Sequence, residues 1–98
     1  MGQLRGNREP IRQVPVDSAT AGGVLLSESG AWAMRYFHNE SATTDVRIGS
    51  QADRTANGGE GRGILLKAGE RFVDDCSLSE WRAWTAGGTA NVTICEIK

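Results

Sequence analysis

Thr44-Asp45-Val46-Arg47-Ile48-Gly49 alternates without a break, with Val46 and Ile48 on one side and Asp45 and Arg47 on the other. Successive side chains of a strand point to opposite faces, so this spacing predicts a half-buried strand with its valine and isoleucine inward. The same period returns at the far end, where Val92 and Ile94 alternate with Asn91, Thr93 and Cys95 across Thr89–Ile97.

Outward from Thr44 toward the N-terminus, Asn39-Glu40-Ser41 reads as a turn, preceded by the long aromatic stretch Ala31–His38. Trp32, Met34, Tyr36 and His38 share one face of that stretch and Ala33, Arg35 and Phe37 the other. Neither face is purely apolar, so the pattern leaves its orientation open. Before it, Gly23-Val24-Leu25-Leu26-Ser27 is a short apolar run ended by Ser29-Gly30.

Toward the C-terminus, residues 50–63 have no hydrophobic period and read as a long loop, a feature uncommon in compact domains. Ile64-Leu65-Leu66 and Arg71-Phe72-Val73-Asp74 follow as two short strands joined by a hairpin-like corner at Lys67–Glu70. Glu80–Ala86 is a further strand, turned by Gly87-Gly88 into the last one. Thirteen glycines and two prolines suit many short strands and frequent turns, because glycine supplies positive φ and weakens helix interiors.

The expected fold is therefore all-β, a small antiparallel β-sandwich or barrel, jelly-roll-like, of about 7–8 short strands. Residues 19–98 form the sandwich domain and residues 1–18 an extended N-terminal arm, because Pro10 and Pro15 bar both a helix and a central strand. An edge segment around Ile11–Asp17 is compatible with that composition. At 98 residues the chain supports one modest core.

A net charge of −1 provides no global field for a polyanion, so no specific nucleic acid is expected as a partner. No apolar run approaches the ~18 residues of a membrane span. Met1–Asn7 lacks the apolar stretch of a signal peptide, so synthesis in the cytosol is expected. Cys76 and Cys95 have neither zinc-ribbon nor Cys-x-x-Cys spacing, and reduced thiols are the default.

Catalysis needs two or three convergent polar groups, and this chain has one histidine, His38, at the end of the aromatic strand. A hydrogen-bonded structural role suits it better. Asp74 and Asp75 are neighbours on a strand and point apart, so they do not form a carboxylate pair. Gly58–Gly63 lacks the Lys-Ser/Thr ending of a phosphate loop. No enzyme, metal or cofactor is expected.

From residue 31 to 97 the order of these pieces resembles that of small β-sandwich proteins encoded among phage structural genes. The likeness is carried by the aromatic strand entering Asn39-Glu40-Ser41, by Thr44–Gly49, by Gly63-Ile64-Leu65-Leu66-Lys67-Ala68-Gly69-Glu70, by Trp81-Arg82-Ala83-Trp84-Thr85-Ala86 and by Thr89–Glu96. It implies a non-enzymatic virion protein, a capsid decoration, head-fibre or other accessory part, often trimeric. The expected role is a cement protein that binds the assembled lattice and stabilises it. Its partner would be the major capsid protein or another virion protein, and its place the virion after synthesis in the host cytoplasm.

Candidate contacts are Arg5, Arg8, Ile11 and Arg12 from the arm, Arg54 and Arg62 from the long loop, and Trp84. Trp81 and Trp84 are three apart on a strand and so face opposite ways, one toward the core and one toward a partner. The alternative reading is a carbohydrate-binding module in which an exposed Trp84 or Trp32 stacks on a sugar.

Overall fold

A computed structural model describes residues 8–55, 63–75 and 77–98. Eight strands run in chain order: β1 (Arg12–Val16), β2 (Val24–Ser27), β3 (Met34–Asn39), β4 (Val46–Gly49), β5 (Ile64–Leu66), β6 (Arg71–Asp74), β7 (Trp81–Trp84) and β8 (Ala90–Ile97). They form two antiparallel four-stranded sheets, ordered β1-β8-β3-β6 and β2-β7-β4-β5.

Each strand of the first half pairs with its mirror image in the second: β1 with β8, β2 with β7, β3 with β6 and β4 with β5. The chain is thus one long antiparallel ribbon doubled back between β4 and β5 and rolled until β8 meets β3 and β7 meets β4. That is the jelly-roll form of the sandwich. One expected connection differs. The Lys67–Glu70 corner carries the chain from the second sheet to the first and does not pair β5 with β6, because β6 completes the edge beside β3.

The alternation read from the sequence sets the core. Val46 and Ile48 of β4 and Val92 and Ile94 of β8 are fully buried, joined by Val16, Leu26, Phe37, Ala83 and Ala90. Phe72 and Trp81 close one side, with the Trp81 ring edge-on to Phe72 at 5.3 Å. Burying a valine-, leucine- or phenylalanine-sized side chain stabilises by about 1.5–3 kcal/mol, so these few residues carry most of the hydrophobic driving force.

The orientation left open for β3 resolves toward the polar-containing face: Arg35, Phe37 and Asn39 point inward, and Met34, Tyr36 and His38 outward. Arg35 is admitted because acceptors for both of its Nη atoms come with it, although its buried Nε is left without one among the described residues. Its Nη2 donates to Asp74 Oδ2 at 2.8 Å and to the Ser77 carbonyl at 2.9 Å, and its Nη1 to Ser27 Oγ and the Glu28 carbonyl, each at 3.2 Å. Ser27 Oγ donates in turn to Glu96 Oε2, and Arg12 Nη2 reaches Glu96 Oε1 at 3.0 Å. Two guanidiniums and two carboxylates balance in charge, which is what a buried cluster of this kind requires.

At the opposite end Asn39, also fully buried, ties three segments together. Its Nδ2 donates to the Thr44 and Leu66 carbonyls at 2.9 and 3.1 Å, and its Oδ1 accepts the Ser41 amide at 3.0 Å. The Asn39-Glu40-Ser41 turn expected from the sequence is this Asx turn.

Two boundaries move. Residues 12–16, read as part of an extended arm compatible with an edge segment around Ile11–Asp17, are the edge strand of the first sheet, with Val16 in the core and Pro15 on the outer face. An edge strand tolerates proline because one row of its amides faces away from the ladder. Of the expected arm, residues 1–7 lie outside the described residues. The second change is in the long loop, whose first part is a one-turn helix, α1 (Gln51–Thr55). Ser50 caps it: Ser50 Oγ accepts the Asp53 amide at 3.2 Å while Asp53 Oδ2 accepts the Ser50 amide at 2.9 Å, a reciprocal capping box. Residues 56–62 lie outside the described residues.

Candidate functional site

Both sheets turn an outer face away from the core, and the two faces differ. On the first sheet, the register places Val73 of β6 opposite Tyr36 of β3, and Tyr36 opposite Cys95 of β8. Met34 lies opposite Ile97 in the next row. Ile11, just before β1 and level with Cys95, is 55% exposed and Val73 is 49% exposed. The result is an apolar band running from one edge strand to the other.

On the second sheet the corresponding row is Trp84 of β7, Arg47 of β4 and Leu65 of β5. This row floors a cleft of about 510 Å³ whose walls include Ser18, Asp45, Arg54 and Thr85. Arg47 Nη1 donates to the Gly63 carbonyl at 3.2 Å, and Arg54 Nη2 to the Ser18 carbonyl at 3.1 Å.

Trp84 points away from the core, as its three-residue offset from Trp81 requires, yet it is only 2% exposed. Two glycines explain this. Gly23, at φ 88°, and Gly63, at φ 119°, bring bare backbone against the indole; a Cβ on Gly23 would lie 3.0 Å from Cε3, and one on Gly63 3.3 Å from Cζ2. Only a residue without a side chain permits both the approach and the left-handed backbone. The buried indole Nε1 has no hydrogen-bond partner among the described residues.

The expected contact residues divide between the two faces. Arg8 forms an isolated bridge with Ile97 and, with Ile11, lies at the β1 side of the first sheet. Arg12 is engaged with Glu96 and the Leu26 carbonyl and serves the internal cluster. Arg54 and Trp84 meet at the cleft. Arg5 and Arg62 lie outside the described residues, as does Cys76.

The exposed tryptophan platform expected for sugar stacking is not present at Trp84, because its ring is enclosed. Trp32 is half-buried, donates through Nε1 to the Glu28 carbonyl at 2.9 Å, and has the Lys98 ammonium 5.4 Å from its ring centroid. Compared with known proteins, the chain matches no family model, no curated protein and no solved structure. What the two faces can do therefore rests on their own chemistry.

His38 stands between oxygens, with Nδ1 3.2 Å from Glu40 Oε2 and Nε2 3.2 Å from the Gly69 carbonyl. The Thr93 hydroxyl that donates to Glu40, assisted by the charge of His38, holds the Glu40 carboxyl below its ordinary range. Asp74 is buried and Asp75 exposed, so the adjacent aspartates do point apart. Among the described residues, no group of three or more His, Cys, Asp or Glu side chains could hold a metal ion.

Sequence reading missed the Tyr36–Val73–Cys95 band and the Trp84–Arg47–Leu65 row. Alternation had already placed Arg47 outward; what it lacks is which strands lie side by side. The Ser50-x-x-Asp53 box was a readable signal for α1.

Proposed function

We propose that this chain is a non-enzymatic virion structural protein that docks on an assembled capsid lattice and stabilises it. The observation that carries the proposal is the uncovered outer face of the first sheet, where Ile11, Val73, Tyr36, Cys95 and Ile97 form an apolar band between two edge strands. Contiguous apolar surface of this kind marks protein-contact sites in soluble domains. Edge strands β1 and β6 add unpaired backbone groups at its borders.

Two further features support the reading. The order of strands and turns from residue 31 to 97 resembles small phage virion proteins, and the eight-strand jelly roll is an architecture used by capsid domains. Fold alone does not assign function, so the band, not the topology, is the feature to test. A small domain reaches the ~1,200–2,000 Å² of a stable interface most readily when it also self-associates, and a homotrimer on the lattice is the proposed state.

Cosedimentation with expanded phage capsids tests this directly. The wild-type chain is expected to pellet with the particles at saturable occupancy. The Tyr36→Lys/Val73→Lys double variant, folded by circular dichroism, is expected to bind about tenfold more weakly or less. Absence of wild-type binding, or equal occupancy by the variant, would overturn the proposal.

A further inference from the structure

The cleft on the second sheet sets a guanidinium beside a buried hydrogen-bond donor that lacks an acceptor among the described residues. Arg47 is half-buried, spends Nη1 on the Gly63 carbonyl, and has no ion-pair partner among the described residues. Trp84, its direct cross-strand partner on β7, has a buried Nε1–H with no acceptor. A buried polar group left unpaired is costly, and in native structures such groups usually meet a water, an ion or a ligand. Here one such group belongs to a residue that lines an open cavity, directly across the strand pair from the Arg47 guanidinium.

We propose that this cleft is a carboxylate-binding site that takes an acidic side chain of a protein partner. A carboxylate offers two oxygens to a planar guanidinium and can reach a neighbouring N–H, which matches the Arg47–Trp84 pair. The Arg47 guanidinium brings a positive charge to the cleft, and that charge favours an anion. Leu65, 40% exposed and opposite Arg47, supplies apolar surface for the methylene stem of the incoming residue. The volume, about 510 Å³, falls in the range of formed ligand pockets.

A glycan acid is disfavoured because sugar recognition leans on an open aromatic face, and Trp84 presents none. The site lies on the sheet opposite the apolar band, so it stands or falls independently of lattice docking.

The test is titration of the uniformly ¹⁵N-labelled chain with a capped pentapeptide centred on glutamate, read at the Trp84 indole N–H resonance. In parallel, the matching glutamine peptide and glucuronate are titrated. The expected result is a saturable shift of the Trp84 signal with the glutamate peptide, at least about tenfold weaker binding of the glutamine peptide, and loss of a similar factor in Arg47→Gln. Arg47→Lys, which retains charge but not the planar fork, should recover only part of the affinity. Thermal unfolding of both variants confirms that they are folded. No saturable shift with the glutamate peptide, equal binding of the glutamine peptide, or tighter binding of glucuronate would each overturn the proposal.

Discussion

The Arg35 guanidinium and the Asp74 carboxylate, at directly paired positions of β3 and β6, meet at 2.8 Å with their side chains 0% and 3% exposed. The ion pair sits inside the sandwich, where a side chain of Phe37's kind would be expected. Trp81 Nε1 donates to the same Asp74 oxygen at 2.7 Å, so one carboxylate links the first sheet to the second.

Removing one member of this pair strands the other in a low-dielectric interior. Arg35→Met is therefore expected to cost about 3–5 kcal/mol, and Asp74→Asn a smaller amount because the amide still accepts one hydrogen bond. Urea unfolding curves check both values. A cost for Arg35→Met below about 1 kcal/mol would show that the cluster contributes no more than a surface pair.

The glycine cradle of Trp84 supports a second expectation. Gly63→Ala would place a Cβ 2.5 Å from the Ile48 carbonyl oxygen at a φ of 119°. Strain of that kind costs about 1–3 kcal/mol before any steric shift. Gly87→Ala, where no heavy atom lies within 4 Å of the added carbon and φ is not positive, is the control and should be close to neutral. Equal thermal midpoints for the two variants would contradict the close packing.

Helix α1 depends on its cap. Ser50→Ala removes the acceptor for the Asp53 amide and one partner of the Asp53 carboxylate. A loss of about 1 kcal/mol is expected, measurable by chemical denaturation. Ser50→Thr should retain most of it.

Glu40 predicts a pH signature. Hydrogen bonding from Thr93 and the charge of His38 hold its folded-state carboxyl below the ordinary value. A carboxylate depressed on folding stabilises above its unfolded pKa, and the contribution disappears as pH falls through the folded pKa. Glu40→Gln should therefore lower the thermal midpoint at about pH 7, and by progressively less as the pH is brought down toward about 3. A deficit of the same size at both values would show that the carboxylate charge is not involved.

Strand positions were largely legible from residue order. Val46 and Ile48, or Val92 and Ile94, betray their inward side through a period of two, which depends only on the local backbone. Turns were legible for the same reason: Asn39 and the Lys67–Glu70 corner use chemistry confined to a few residues. The edge strand at 12–16 was weakened by Pro15, whose cost vanishes once its amide side faces solvent at a sheet border.

Arg35 shows where local reading stops. Ala33-Arg35-Phe37 and Met34-Tyr36-His38 are comparable as faces until Asp74, Ser27 and Glu96 are brought beside one of them, from segments separated by 8 to 61 residues. The same holds for both candidate sites. Alternation assigns each side chain to a face of its own strand, whereas a binding surface exists only once the ribbon has rolled and placed Trp84, Arg47 and Leu65, or Val73, Tyr36 and Cys95, in one row. Local periodicity depends on a few adjacent dihedrals, but register across a sheet depends on which distant apolar faces can be buried together.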